Sequence, residues 1–146
     1  MNRISKLIAI CCTVVLIAGC GDGKPEQAAT KQNPIREIIS QVNTSGTITD
    51  RQAESLGKAE DRLYLNGLTS LTDKQADSLG KVRFSLNLNG LTSITDQQAK
   101  SLSGVRVLYL IGLTSITDEQ ARSLSNVRLL ETSEDLQPLI DKYKKQ

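Results

Sequence analysis

The chain has 146 residues, which suits one small domain, and carries 18 basic and 16 acidic residues. It contains no histidine, and this excludes histidine-based catalytic triads, the usual histidine zinc sites and histidine pH switches. Removal of Arg3 and Lys6 with a leader would leave 18 − 2 = 16 basic residues against 16 acidic ones. A net charge of zero gives no general electrostatic case for binding nucleic acid or an acidic membrane surface.

The first residues have the three-part layout of an export signal. A positively charged start (Arg3, Lys6) is followed by the mainly apolar residues 7–18 and by small residues just before Cys20. The apolar stretch is too short for a membrane span, which needs about 20 residues. The sequence therefore predicts a signal peptide over residues 1–19.

The end of this segment, Ile17-Ala18-Gly19-Cys20, resembles the bacterial lipobox. The resemblance implies that a diacylglyceryl group is attached to the Cys20 sulfur and that a peptidase cuts before it. A thiolate is nucleophilic enough for this reaction, and two or three acyl chains anchor a protein stably. The expected product is a lipoprotein of the bacterial cell envelope. By resemblance to enterobacterial sorting, a residue other than aspartate after the cysteine, here Gly21, favours the outer membrane in a Gram-negative cell, and the leaflet stays open. The alternatives are an ordinary signal peptide or an uncleaved anchor.

Two segments precede the repeated part of the chain. Residues 20–33 comprise the lipidated cysteine and a stretch without apolar periodicity, which predicts a flexible tether with a reach of roughly 20 Å. Residues 34–46 form a predicted helical cap, because apolar side chains fall at helical spacing at Ile35, Ile38, Ile39 and Val42.

Residues 47–132 repeat a pattern of strand, turn and helix. Leu/Ile-Thr-Asp recurs with its aspartates at Asp50, Asp73, Asp96 and Asp118, spaced 23, 23 and 22 residues apart. Alternating leucines at 63–65, 86–88 and 108–110 predict short strands. Each threonine of the motif is followed three residues later by glutamine, which predicts a capping box at each helix start. Left-handed helix stops are expected at Gly57, Gly80, Gly104 and Asn126.

This pattern is similar to the cysteine-containing subtype of leucine-rich repeats, LxLxxCxxITDxxLxxL. The chain departs from it in two columns: the cysteine position holds Leu68, Leu91 and Leu113, and the first helical leucine is alanine. We therefore expect apolar packing in place of a buried side-chain ladder to backbone amides. The resemblance implies an α/β fold, a short curved solenoid with a parallel sheet, and no particular reaction.

The end of the chain, residues 133–146, is predicted to be a second helical cap, with apolar residues at Leu136, Leu139, Ile140 and Tyr143. Such caps are needed because a solenoid exposes apolar faces at both ends. The terminal lysines, Lys142, Lys144 and Lys145, are either a solvated end or a contact to anionic lipid or cell-wall polymer.

In this family the strand residues between the inward leucines face the concave surface. A ligand face is predicted there from two tyrosines and the asparagines between them, with the candidate residues Tyr64, Asn66, Asn87, Asn89 and Tyr109. The competing interpretation is an ordinary solvated sheet face with asparagine–glycine turns.

The aspartate column could suggest a metal ladder, but each aspartate stands at a predicted first helical position, where its charge favours the helix dipole. No nucleophile with a base, paired carboxylates outside the repeat or phosphate loop is present, so we expect neither an enzyme nor a cofactor or metal. Two hypotheses remain: an envelope module that binds a protein or peptide through its concave face, or an assembly accessory that docks into a membrane complex through its convex or end surface.

Overall fold

The computed structural model describes residues 33–144, which lie within one compact unit of the chain. The predicted signal peptide, Cys20 and all of the tether except Asn33 lie outside the described residues, as does Lys145. The described part contains six helices and four strands. They are α1 (Pro34–Ser45), α2 (Asp50–Gly57), β1 (Leu63–Tyr64), α3 (Asp73–Leu79), β2 (Ser85–Asn87), α4 (Asp96–Leu102), β3 (Val107–Leu110), α5 (Asp118–Leu124), β4 (Leu129–Thr132) and α6 (Gln137–Lys144).

The strands form one parallel sheet in the order β1-β2-β3-β4, with neighbouring strands in register at their leucines. Leu63 is paired with Leu86, Leu86 with Leu108 and Leu108 with Leu130, and all four side chains are buried. The α/β class with a parallel sheet is therefore confirmed. Strand β4 was not predicted, because Thr132 replaces the second leucine of the strand pattern.

Helices α2 to α5 each begin at the aspartate of the repeated motif. The capping boxes are confirmed. In each box the threonine side chain accepts a hydrogen bond from the glutamine backbone N–H, and the glutamine side chain accepts one from the threonine backbone N–H. The alanine and leucine of each helix are buried, at Ala53, Leu56, Ala76, Leu79, Ala99, Leu102, Ala121 and Leu124. These eight side chains form the helix side of the core, against the strand leucines.

Helix α1 lies beside the edge of β1. The Asn43 amide nitrogen donates to the Tyr64 carbonyl at 2.8 Å, and its amide oxygen accepts from the Gly67 N–H at 2.8 Å. Val42 is buried, and Ile35, Ile38 and Ile39 pack half-buried against the core. Helix α1 ends at Ser45 and is capped by Gly46, the one glycine among residues 33–144 with a positive φ, 73°.

Helix α6 packs beside α5 at the other end of the chain. Ile140 is buried and Leu139 and Tyr143 are half-buried against the core, as their helical spacing predicted. Leu136 is buried too, but it precedes the helix, which begins at Gln137.

The predicted left-handed helix stops are wrong. The residues that cap α2 to α5 are right-handed, and Asn126 follows α5 with its side chain donating to the Arg122 and Ser123 carbonyls. Glycine is needed at two of these positions for space. A Cβ on Gly57 would overlap the Ser78 carbonyl oxygen, and a Cβ on Gly80 would overlap that of Ser101. The small residues therefore let successive helix ends approach each other through their backbones.

Leu68, Leu91 and Leu113 are buried, in agreement with the apolar packing expected in the column where related repeats carry a side-chain ladder. The capping-box glutamines take over the role. Each donates its amide to a carbonyl of the preceding repeat: Gln75 to Ile48, Gln98 to Leu71 and Gln120 to Ile94, at 2.8, 2.8 and 3.0 Å. These glutamines are buried, so the bonds satisfy polar groups that would otherwise be costly. One side chain thus caps its own helix and ties it to the previous one.

Candidate functional site

The exposed face of the sheet carries two rows of side chains that cross the strands. One row joins Tyr64, Asn87, Tyr109 and Glu131, and the other joins Ser85, Val107 and Leu129, as the strand register requires. Successive residues of a strand point to opposite faces, so the leucines between these positions fill the core while the rows stay outside. Tyr64 is 50% exposed and Leu129 47%.

A shallow depression of about 260 Å³ lies on this face. Its lining combines aromatic, amide, hydroxyl, aliphatic and cationic groups, from Arg62, Tyr64, Ser85, Asn87, Val107, Tyr109 and Leu129. Neither tyrosine hydroxyl bonds to another described residue, whereas the Tyr143 hydroxyl is held by Asp118 at 2.8 Å. The depression therefore offers flat apolar area with hydroxyls that are available to a ligand.

The structure brings together three of the five predicted ligand residues. Tyr64, Asn87 and Tyr109 occupy one row, while Asn66 and Asn89 lie in the turns beyond the strands and do not line the depression. The Asn89 side-chain oxygen also accepts a hydrogen bond from the Ile111 N–H at 3.1 Å. That bond assigns Asn89 a structural role between neighbouring turns.

Leu129 and Glu131 are parts of this face that the sequence analysis missed, because β4 lacks the full leucine pattern. A signal was present, since Leu130 follows Leu124 by six residues, as Leu108 follows Leu102. That spacing places Leu130 inward and the residues on either side of it outward.

The aspartate column serves the helix starts. Asp73 accepts a hydrogen bond from the Thr95 hydroxyl at 2.8 Å, and Asp96 accepts one from the Thr117 hydroxyl at 3.1 Å. Asp50 instead pairs with the Lys74 ammonium at 2.9 Å. Among residues 33–144 no cluster of three or more acidic or cysteine side chains is arranged to hold a metal ion. Each aspartate is thus engaged with the next unit along the chain.

Two carboxyl groups at the ends of this column have lowered pKa values. The hydrogen bond from Lys74, followed in size by the one from Gln75, lowers the pKa of Asp50. The hydrogen bond between Lys74 and Asp50 also raises the pKa of Lys74. At the other end, the Tyr143 hydroxyl and then the charge of Lys142 lower the pKa of Asp118. Both carboxyl groups are solvent-exposed, so these contacts fix local geometry more than they stabilise the fold.

A larger open cavity of about 610 Å³ lies on the helix side, where α2 and α3 end. Its lining is mainly charged and of both signs, with Glu54, Lys58, Glu60, Lys74, Asp77, Lys81 and Arg83. Part of that charge is already neutralised, because Lys81 pairs with Asp77 at 3.0 Å and Lys74 with Asp50.

No protein-family model matches the chain, and searches of curated proteins and of solved structures found no match either. Among the helices between residues 33 and 144, none combines the length and the apolar character needed to cross a membrane.

Proposed function

We propose that the chain is a lipid-anchored lipoprotein of the bacterial cell envelope that binds a protein or peptide. In this proposal residues 47–132 form a short leucine-rich-repeat solenoid, residues 34–46 and 133–146 cap its ends, and the exposed strand face is the binding surface. The ligand lies along the depression between Tyr64 and Tyr109.

The solenoid proposal is supported by the regular contacts between successive units. Each strand from β1 to β3 pairs in register with the next strand, and each helix from α2 to α4 packs on the next helix. Each capping-box glutamine from Gln75 onward also donates a hydrogen bond to the preceding unit. Such nearest-neighbour contacts are typical of stacked repeats. The ends of the stack are covered by α1 and α6, which bury Val42 and Ile140.

The binding proposal rests on one observation: side chains of the strand face differ from unit to unit and leave polar groups unused. The row Tyr64, Asn87, Tyr109 and Glu131 has two aromatic residues, one amide and one acid. The helix starts, by contrast, hold threonine, aspartate and glutamine in all four units. Aromatic residues that expose both a ring and a hydroxyl are enriched at protein interfaces.

The anchor is tested by metabolic labelling with a fatty-acid probe. The full chain is expected to incorporate the label, and the Cys20→Ser chain is expected to lose it. Because Cys11 and Cys12 stand inside the apolar stretch, their serine variants are matched controls that keep the label. Equal labelling of the Cys20→Ser chain would refute lipidation at this residue.

The binding face is tested by placing a photoreactive amino acid at single positions of the full chain in its native membranes. A cross-link to a defined protein is expected from position 109, on the strand face, and none from position 100, since Lys100 is exposed on helix α4. Cross-links from position 100 alone would contradict the proposed face.

The second candidate is an assembly accessory that docks through its helix side. The open cavity at the ends of α2 and α3 favours it, because this cavity is larger than the depression on the strand face. A photoreactive group at Lys58, which lines the cavity, separates the two functions. A cross-link from position 58 without one from position 109 would favour assembly.

A further inference from the structure

Three arginines recur at the N-terminal ends of the strands. Arg83, Arg106 and Arg128 each follow a buried valine and precede β2, β3 and β4, and all three are exposed. We call Arg83, Phe84, Arg106 and Arg128 the basic edge. Because Val107 N–H donates to the Phe84 carbonyl and Leu129 N–H to the Arg106 carbonyl, the basic edge is continuous across three strands.

The arginines of the basic edge have no acidic partner among the described residues. The ion pairs within 33–144 are Lys74–Asp50, Lys81–Asp77 and Lys142–Asp118. Arg106 and Arg128 precede the paired residues Val107 and Leu129 and so lie side by side in neighbouring strands, about 4.8 Å apart, where like charges are destabilising. An anionic partner would remove this repulsion.

The edge also carries an exposed apolar group. Phe84 is 47% exposed, and Arg106 lies beside it in the next strand. Arginines around an exposed phenylalanine match a membrane surface, since the charges meet phosphate groups while the ring enters the boundary with the acyl chains.

The opposite ends of the strands lack this character. There the corresponding positions are Asn66, Asn89, Ile111 and Ser133, none of which is charged. The acidic residues nearest the basic edge in sequence are Glu131, three residues after Arg128, and Asp77, six residues before Arg83 and paired with Lys81. Arg83 also lines the helix-side cavity together with Glu60, without an ion pair. The positive charge therefore lies over β2 to β4 and at one end of the strands only.

The start of the described chain lies on the β1 side of the sheet. Asn33, where the predicted tether joins the domain, lines one pocket of about 480 Å³ together with Arg36, Arg62 and Tyr64. The predicted tether of 13 residues from Gly21 to Asn33, with an expected reach of roughly 20 Å, would hold the domain close enough for direct contact with the bilayer.

We propose that the basic edge docks on the anionic phospholipid headgroups of the bilayer that holds the chain. This inference rests on the proposed anchor at Cys20 and adds an orientation to it: the N-terminal ends of the strands face the membrane. The strand face with Tyr64 and Tyr109 then stands at an angle to the bilayer and stays open to a partner.

The test uses tryptophan as a unique reporter, since the chain contains none. Phe84→Trp places it on the basic edge, and Ile111→Trp is the matched control, because Ile111 is 49% exposed at the opposite end of the strands. The full chain of each variant is reconstituted into vesicles of phosphatidylcholine with phosphatidylglycerol, and quenching by brominated lipid is measured. Strong quenching is expected for Phe84→Trp and little for Ile111→Trp.

Two further arms test the electrostatic cause. Vesicles of phosphatidylcholine alone, or high salt, should bring the Phe84→Trp signal down to that of the control. Replacing Arg83, Arg106 and Arg128 by glutamine should lower the ratio of docked to undocked chain on the order of 100-fold, because each arginine near an anionic surface contributes about a five-fold factor. Glutamine at Arg51, Lys100 and Lys144, exposed on three helices, is the charge-matched control and should change little.

Equal quenching of the two reporters in anionic vesicles would overturn the proposal, as would a Phe84→Trp signal that ignores lipid charge and salt. The salt titration needs no further substitution, so it decides the matter even where the arginine variant fails to fold. The Cys20→Ser chain, which retains the apolar residues 7–18, is measured in the same way. Failure of the anchor proposal appears as a full chain without fatty-acid label, or as equal label on the Cys20→Ser chain, and failure of the docking proposal appears as equal quenching of the two tryptophan reporters.

Discussion

The helix starts and the exposed strand face of this domain differ in how much their side chains vary from unit to unit. At the starts of α2 to α5 the same three side chains recur in every unit, and their polar atoms bond to one another and to the neighbouring unit. On the strand face no two neighbouring units share a residue in the row Tyr64, Asn87, Tyr109 and Glu131. Both tyrosine hydroxyls in that row are unused by the described residues. Repetition therefore marks what holds the units together, and we propose that variation marks the surface for recognition.

This contrast makes different predictions for stability and for binding. Changes on the repeated side should destabilise the fold, with the largest effects where backbones touch. Changes on the strand face should leave the fold intact.

The largest effect is expected at Gly80. In Gly80→Ala the new Cβ overlaps the Ser101 carbonyl oxygen, which belongs to backbone and can move only by separating α3 from α4. We expect a loss of about 3 kcal/mol in the free energy of unfolding, at the upper end of overpacking costs. Gly104→Ala is the matched control, because its Cβ meets its nearest neighbour, the Gly80 carbonyl oxygen, at 3.1 Å. Urea titration checks both, and an equal loss in the two variants would contradict close packing at Gly80.

A smaller loss is expected from Gln98→Glu. The carboxylate can still accept from the Thr95 N–H, but it has no N–H for the Leu71 carbonyl, which the Gln98 amide now meets at 2.8 Å. Because the side chain is buried, we expect a cost of about 2 kcal/mol.

The control for this change is Gln52→Glu. Gln52 belongs to the first capping box, and its amide donates only to the exposed Gln41 side chain. Its replacement should alter the free energy of unfolding by no more than about 0.5 kcal/mol. Equal costs at both positions in urea titrations would refute the view that the glutamine ladder joins the units.

The smallest effect on stability is expected at the contact between Tyr143 and Asp118. A carboxyl group whose pKa is lowered in the folded state stabilises the fold above its usual pKa, and this contribution is lost as pH falls through the lowered value. Tyr143→Phe removes the hydroxyl whose hydrogen bond is the largest cause of the lowered Asp118 pKa. The wild-type chain should therefore melt slightly higher than Tyr143→Phe near pH 7, and the difference should vanish in acid. Tyr109→Phe, whose hydroxyl has no partner in the described structure, should show no pH-dependent difference from wild type.

Much of the repeated side was predictable, because local rules determine it. The capping boxes followed from threonine and glutamine three residues apart, and the inward faces followed from leucine spacing. What the glutamines bond to in the preceding unit was not predicted, since the partner lies 26 or 27 residues away. A signal was present in the choice of glutamine, because glutamate could cap the helix equally well but could not donate to a carbonyl.

The role of the glycines and the extent of the strand face were harder to predict. A glycine after a helix is compatible with either a left-handed stop or a close approach, and only the neighbouring helix distinguishes Gly80 as the second kind. Strand β4 was missed because threonine stands at one of its inward positions. The net charge of the chain also gave no sign that the two ends of the strands differ in charge. A net charge near zero does not show that several arginines lie together at one end of the strands.

The most direct test of the account is the Tyr64→Ala/Tyr109→Ala double variant, measured for both affinity and thermal unfolding. Against the protein cross-linked from position 109, we expect affinity to fall at least about 10-fold, because exposed tyrosines are common anchors of interfaces. The melting temperature should stay within about 2 °C of wild type, since neither side chain belongs to the core. Unchanged affinity would contradict the central claim that the variable strand face is the binding surface.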